Sequence, residues 1–235
     1  MTWAILPVKD LATAKQRLND ALTPGERRDL FQAMVEDVLE ALSRVRGLAG
    51  ICVFTRDSEA VALAKRYGAR LVMEGESLGQ TAAVTAAASV LAVDGVADVV
   101  CVPGDVPLAT AVEIERVLAH HRAAPDTRPR VTIVPARDGL GSNCMVCSPP
   151  DALPFQFGDD SFTRHLAAAR RAGVVVRRME AAGLGLDVDT PDDLAVLLQR
   201  AGKTRAQAYL KASGIAARLR GTTGPDLSAG RPEAS

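Results

Sequence analysis

The stretch that most narrows the fold is ADVVCVPGDVPL, residues 97–108. Val and Cys dominate its first half, and a short continuous apolar run bounded by turn residues reads as a strand buried on both faces, as in a parallel sheet. The run stops at Pro103-Gly104, and Asp105 follows at once. In open α/β sheets ligands bind in the crevice outside the carboxyl ends of the strands, so an acid here stands where a substrate or a metal would be. Pro103 and Pro107 restrict the backbone on both sides of it. Thr110, with Glu113 three residues on, predicts a capping box that opens the next helix. Taken alone, Asp105 also has a plainer reading, as a polar residue in a strand-to-helix turn.

The rest of the chain repeats the rhythm. Residues 2–8 read as the first strand, 51–55 as the second and 70–73 as the third. Between them, Thr23-Pro24 with Glu26 opens an amphipathic helix carrying Leu30, Phe31, Met34, Val38, Leu42 and Val45 as far as Gly47. Residues 58–67 form a helix closed by Gly68, and further helices are predicted over 81–93 and 111–121, with a strand over 130–134. Strand, helix, strand in this order predicts an α/β chain: a single domain with a mostly parallel, Rossmann-like, doubly wound sheet. Residues 1–202 are expected to form that domain, 203–220 a C-terminal helical extension, and 221–235, rich in Gly, Pro and Ser, a disordered tail.

Composition excludes several functions. Lys plus Arg equals Asp plus Glu, 28 of each, so no basic field draws the chain to nucleic acid or to a membrane surface. Aromatic residues are too few for base-stacking platforms. No apolar run approaches the ~20 residues of a membrane span, and the amino terminus enters a strand directly instead of a signal segment, so a cytoplasmic protein is expected. Cys52 and Cys101 lie in apolar runs as small hydrophobes. Cys144 and Cys147 have the spacing of a metal pair, yet three residues apart in a strand they face opposite sides. Apolar helix faces leave room for a homodimer.

Local charge must therefore carry function. Lys9, Lys15 and Arg17 follow the first strand without a glycine-rich loop, which excludes a P-loop or a dinucleotide fingerprint there. Either these cations meet phosphates at a strand-to-helix junction, or they line a solvated helix face. EGESLGQ, residues 74–80, is a polar loop at a strand's carboxyl end, able to hold a base or ribose or merely to connect. DGLGSN, residues 138–143, offers turn amides and a Ser hydroxyl to an anion. FGDDSF, residues 157–162, opens a helix whose first amides, with Arg164 and His165, suit a phosphate or carboxylate, while Asp159 and Asp160 oppose one. His165 reads as a surface histidine rather than a general base. In LDVDTPDDL, residues 186–194, Thr190, Pro191 and Asp193 mark another helix start. Asp187 and Asp189 are expected to turn to opposite faces, so that only one shares the cleft of Asp105.

Taken together these pieces resemble the 2-phospho-L-lactate guanylyltransferase family of deazaflavin coenzyme F420 biosynthesis. The resemblance spans about residues 5–198 and rests on five motifs in order. They are P-V-K then A-K-x-R-L at 7–18, P-G-D-x-P at 103–107, G-x-G-S-N at 139–143, F-G-x-x-S-F-x-R-H at 157–165 and D-x-D-T-P-x-D-L at 187–194. It implies a fold of the nucleotide-diphospho-sugar transferase type. It also implies a reaction in which GTP and a phosphorylated three-carbon acid (2-phospho-L-lactate, phosphoenolpyruvate or 3-phospho-D-glycerate) give a guanylyl-diphospho-acid and pyrophosphate. By motif, Asp105 and Asp187 would hold Mg²⁺, with Asp189 serving the turn or a contact just behind the metal ligands. Ser142, Gly158 and Ser161 would bind the acid. Lys9, Lys15 and Arg17 would face the nucleotide's phosphates, with Gln80 near the nucleotide in a loop where family members often carry Leu-Asn.

The residue inventory agrees with such chemistry. The acid's phosphate is already a nucleophile at neutral pH, so no Ser/His or Cys/His apparatus is needed, and the motifs contain none. Charge has to be neutralised instead, with Asp105, Lys15 and Arg17 as the expected catalytic groups. Two other readings remain: a nucleotidyltransferase of this fold with a molybdenum-cofactor or sugar-phosphate acceptor, whose usual Gly-rich opening is missing here, and a non-catalytic nucleotide-binding protein, in which acidic metal ligands would be lost.

Overall fold

Alternating strands and helices build one twisted α/β sheet in the computed structural model, which describes residues 1–73, 79–123 and 129–222. In chain order the elements are β1 (Thr2–Pro7), α1 (Pro24–Ser43), β2 (Leu48–Thr55), α2 (Ser58–Arg66), β3 (Arg70–Met73), α3 (Gly79–Val93), β4 (Asp98–Cys101) and α4 (Ala111–Arg122). They continue with β5 (Arg130–Pro135), β6 (Ser142–Ser148), α5 (Ser161–Ala172), β7 (Val175–Arg178), α6 (Pro191–Gln199), α7 (Arg205–Ala212) and α8 (Ile215–Thr222). The sheet order is β3-β2-β1-β4-β6-β5-β7. All pairings are parallel except those of β6, which runs antiparallel to both β4 and β5. The chain winds from β1 out to β3 and returns to the far side of β1 as β4, so a topological switch point lies between the carboxyl ends of β1 and β4.

Period-two alternation sorts the core. Ile51, Ala4, Val100 and Val146 share one row of the sheet and join the cluster packed by α1, α2, α4, α6 and α7. Cys52, Ile5, Cys101, Met145 and Ile133 turn to the other face, under α3 and α5. Cys144 and Cys147 fall on opposite faces, as their spacing required. Burial pushes the thiols of all four cysteines up, Cys52 to about 11 and Cys144 to about 12, so none is a thiolate at neutral pH.

The starts of α1 and α6 follow sequence chemistry, and that of α4 departs from it. Thr23 and Glu26 form a reciprocal capping box on α1, and Thr190 with Asp193 does the same on α6. On α4 the box is only half made: Thr110 accepts from Glu113 N at 3.2 Å, but the Glu113 carboxylate reaches away to accept from Gly183 N at 2.8 Å. That contact anchors the turn leading into Asp187. In the C-terminal segment, buried Asp37 of α1 accepts from Arg205 N and Ala206 N at 2.8 and 3.0 Å, and so caps α7 from outside. Gln207 Nε2 donates to Leu197 O and Arg200 O, closing α6. Leu210 and Ile215 complete the same apolar cluster. Of the expected tail, Gly221 and Thr222 end α8, and residues 223–235 lie outside those described.

Candidate active site

A cleft of about 680 Å³ opens at the switch point. Its floor begins where β4 ends. A Cβ added at Gly104 would stand 2.9 Å from Val35 Cγ2, so the close seat of this turn on α1 requires glycine. The Asp105 carbonyl accepts from Val188 N at 3.0 Å, which ties the turn to the segment carrying Asp187 and Asp189. Val188 is buried beneath, and both aspartates line the cleft. The expectation that they diverge is therefore corrected: side chains two apart in extended chain share a face, and only Val188, between them, turns inward.

After β1 the chain does not enter a helix at once. Residues 9–15 form a loop held by Asp57, whose carboxylate accepts from Leu11 N at 2.9 Å while its other oxygen caps α2. The helix face considered for Lys9, Lys15 and Arg17 is thus replaced by a loop and a short 3-10 turn, Gln16–Leu18. Lys15 sits at φ 59°, a left-handed conformation that costs a non-glycine residue about 1–3 kcal/mol and persists only when its surroundings enforce it. Those surroundings are the carboxylates: Lys15 Nζ lies 2.6 Å from Asp105 Oδ2 and 2.5 Å from Asp189 Oδ1, with its side chain 5% exposed and the Phe31 ring centroid at 5.6 Å. Burial opposes the ammonium, but the two aspartates outweigh it and hold the Lys15 pKa above its ordinary value. Burial would likewise raise Asp189, yet Lys15 beside it, with Arg17 and Lys9 further off, draws its pKa down. Asp187 is pushed the other way, up to about 6, first by burial and then by the charge of Asp105, although Asn143 Nδ2 donates to it at 3.0 Å.

Opposite this cluster is a set of donors. Because β6 runs antiparallel, its first residues, Ser142 and Asn143, emerge at the same sheet edge as the carboxyl end of β4. Ser142 N donates to Ser161 Oγ at 2.9 Å, joining the 138–143 turn to the start of α5. Gly158 has φ 111° and Asp160 φ 54°, and the Asp160 side chain does not cap the helix. Two of the helix-start amides expected to be open are spent: Ser161 N donates to Gly158 O and Phe162 N to Leu140 O. The amides of Gly158, Asp159 and Asp160 have no protein acceptor among the described residues. Arg164 turns back onto the Phe157 and Asp159 carbonyls, and Arg17 reaches Asp159 at 3.3 Å on the exposed rim.

His165 is not on the surface. It is fully buried, and burial, then Arg164, lowers its pKa to about 4. Its ring bridges Ser142 Oγ at 3.0 Å and Gln156 N at 2.9 Å. The plainer reading failed because the sequence there is Arg-rich, while the helix face that carries His165 also carries Phe162 and Ala169 into the core. Lys9 is exposed on the cleft wall, and Gln80 stands on the first turn of α3, also lining the cleft. The rest of the polar loop, residues 74–78, lies outside the described residues.

Carboxylate oxygens with no nitrogen or sulfur ligands suit a hard cation such as Mg²⁺. Among the described residues no three acidic, His or Cys side chains close into a ready cage. The fit rests instead on Asp105 Oδ1, which is buried without a hydrogen-bond partner, and on its mutual repulsion with Asp187. Both are what a divalent cation carried in with phosphate oxygens would relieve.

The model of the family described as "Guanylyl transferase CofC like" matches residues 2–228. This chain belongs to that family. It is 38% identical over 207 residues to a phosphoenolpyruvate guanylyltransferase of Conexibacter woesei, covering 88% of this chain and 92% of the relative. It is 32% identical over 234 residues to a 2-phospho-L-lactate guanylyltransferase of Methanothermobacter thermautotrophicus, covering 100% and 98%. A 3-phospho-D-glycerate guanylyltransferase of Colwellia psychrerythraea is 31% identical over 193 residues, covering 82% and 89%. Among solved structures, a nucleotide-diphospho-sugar transferase from Desulfovibrio desulfuricans G20 superposes with a TM-score of 0.73 at 19% identity, over 94% of this chain and 97% of that one. That likeness establishes the fold expected from the CofC-like motifs.

Proposed function

We propose that this chain transfers GMP from GTP to the phosphate of a phosphorylated three-carbon acid, releasing pyrophosphate, as a Mg²⁺-dependent step of coenzyme F420 biosynthesis. One observation carries the reading: the Asp105–Lys15–Asp189 cluster with Asp187 faces the Ser142–Gly158–Ser161 donors across a single cleft. A site with anion donors on one wall and carboxylates for a cation on the other suits two phosphorylated substrates meeting end to end. The names of the three relatives support the same acceptor class.

In this reading the acid's phosphate oxygen attacks the α-phosphorus of GTP and needs no base, since it is already anionic. Catalysis consists of positioning and charge neutralisation. Ser142, Ser161 and the free amide of Gly158 hold the acid. Lys9 and Arg17, at the cleft mouth, meet the departing pyrophosphate, and Gln80 flanks the nucleoside. Asp105 and Asp187 would hold Mg²⁺, which supplies positive charge against the phosphate oxygens. Lys15 keeps Asp105 and Asp189 charged and fixed in the meantime. No described helix is long and apolar enough to cross a membrane, and we place the reaction in the cytoplasm.

The test is pyrophosphate release with GTP or ATP against a panel of phosphoenolpyruvate, 2-phospho-L-lactate, 3-phospho-D-glycerate and a sugar phosphate. Release is expected with GTP and at least one three-carbon acid. Release with the sugar phosphate alone, or none with any acid, contradicts the proposal.

A further inference from the structure

The reaction scheme gives no task to His165, a buried polar side chain bonded to the cleft-lining Ser142. Gln156 N lies 2.9 Å from His165 Nε2, and a backbone amide can only donate. Nε2 must therefore present its lone pair, which puts the proton of the neutral ring on Nδ1. Nδ1 in turn lies 3.0 Å from Ser142 Oγ, so Nδ1–H donates and the Ser142 hydroxyl accepts. Its own proton then needs another acceptor, and among the described residues the protein provides none. Ser161 is arranged alike: its Oγ accepts from Ser142 N, and its proton is also unspent. Both residues line the cleft.

We propose that His165 is a positioning residue for the acceptor substrate: by donating Nδ1–H to Ser142 Oγ it leaves the hydroxyl proton of Ser142, beside that of Ser161, to donate to the anionic phospho-acid. The inference rests on the acceptor site proposed above. In the opposite tautomer Ser142 would donate inward to Nδ1 and show the anion a lone pair. Gln156 forbids that tautomer, because its amide is fixed in the backbone. Phe157 packs edge-on against the ring at 5.3 Å, and burial keeps it neutral through neutral pH.

Long-range ¹H–¹⁵N correlation of the imidazole nitrogens in the full-length, substrate-free protein should show Nδ1 protonated and Nε2 bare. A protonated Nε2 near neutral pH overturns the proposal, and this measurement needs no variant to fold. Substitutions then separate the two bonds. His165→Asn keeps an N–H near the Nδ1 position, whereas His165→Gln reaches the Nε2 position and keeps an acceptor for Gln156. The expected result is a KM for the acid within about threefold of wild type in His165→Asn and raised about tenfold or more in His165→Gln, with the KM for GTP little changed in both. A purely structural role predicts the reverse order, since Gln fills more of the space and keeps the Gln156 bond. Ser142→Ala distinguishes the two layers of the argument. If it leaves the acid's KM unchanged, the acceptor site is elsewhere; if it raises that KM while His165→Gln does not, the role of His165 alone fails.

Discussion

Lys15→Met keeps a side chain of similar reach and removes the ammonium that holds Asp105 and Asp189 at 2.6 and 2.5 Å. Deleting one partner of a fully buried ion pair costs about 3–5 kcal/mol, because the remaining charge is left without compensation. Here Asp105 and Asp189 are 23% and 38% exposed, so water screens part of the loss. We take about 2–3 kcal/mol. For a domain of this size that lowers Tm by about 4–12 °C. Thermal unfolding in chelator at low salt and near neutral pH measures it. The same substitution opens the space between the carboxylates, so added Mg²⁺ should raise Tm more in Lys15→Met than in wild type, by linkage to the folded state. A variant that melts within about 1 °C of wild type in chelator, and no differently with Mg²⁺, would show that Lys15 is not the cation binding this cluster together.

Asp187→Asn and Asp189→Asn should each lose turnover by at least ~10-fold, since both line the cleft, but they should move stability oppositely. Asp187→Asn relieves repulsion with Asp105 and holds or raises Tm, whereas Asp189→Asn strips Lys15 of a partner and lowers it; equal shifts would contradict the arrangement. His121, buried between Thr132 Oγ1 and Ser148 Oγ, has its pKa lowered to about 4 by burial and then by Arg130. Its folded pKa is below the ordinary 6.5, so the unfolded chain takes up the proton first, and its contribution is full above pH 6.5 and is lost as pH falls towards 4. Urea unfolding across that window should show wild type losing stability more steeply than His121→Gln; parallel slopes would refute a neutral buried His121. Asp37→Ala leaves Arg205 N and Ala206 N without their acceptor and should cost about 1–2 kcal/mol in urea unfolding, with Asp37→Asn closer to wild type. No difference between the two would mean that Asp37 does not cap α7.

The elements that were legible in the sequence are those whose signals are local. Short apolar runs bounded by polar or turn residues marked β1 to β4, and Thr-Pro pairs with an acid at N3 located the starts of α1 and α6. Asp105 could be placed at the sheet edge because its strand ends so sharply. Antiparallel β6 carries no local mark, because direction is set by its partners β4 and β5; its reversal is what brings Ser142 and Asn143 to the cleft. The ion pairs of Lys15 were not legible, since nothing near it in sequence reveals Asp105 and Asp189, 90 and 174 residues away. Glu113 likewise satisfied a local motif but found Gly183 instead. The error over Asp187 and Asp189 was avoidable from the sequence, since residues two apart in extended chain share a face, and so was the surface placement of His165, which shares its helix face with Phe162 and Ala169.

If the carboxylates at the β1–β4 switch point carry guanylyl transfer, Asp105→Asn, which keeps the side chain's shape while removing its charge, is the decisive variant. Pyrophosphate release with GTP and the preferred acid should fall at least ~10²-fold, about 2.7 kcal/mol of transition-state stabilisation, in a variant that still unfolds cooperatively. Turnover equal to wild type in the folded Asp105→Asn protein would mean that these carboxylates do not carry the reaction.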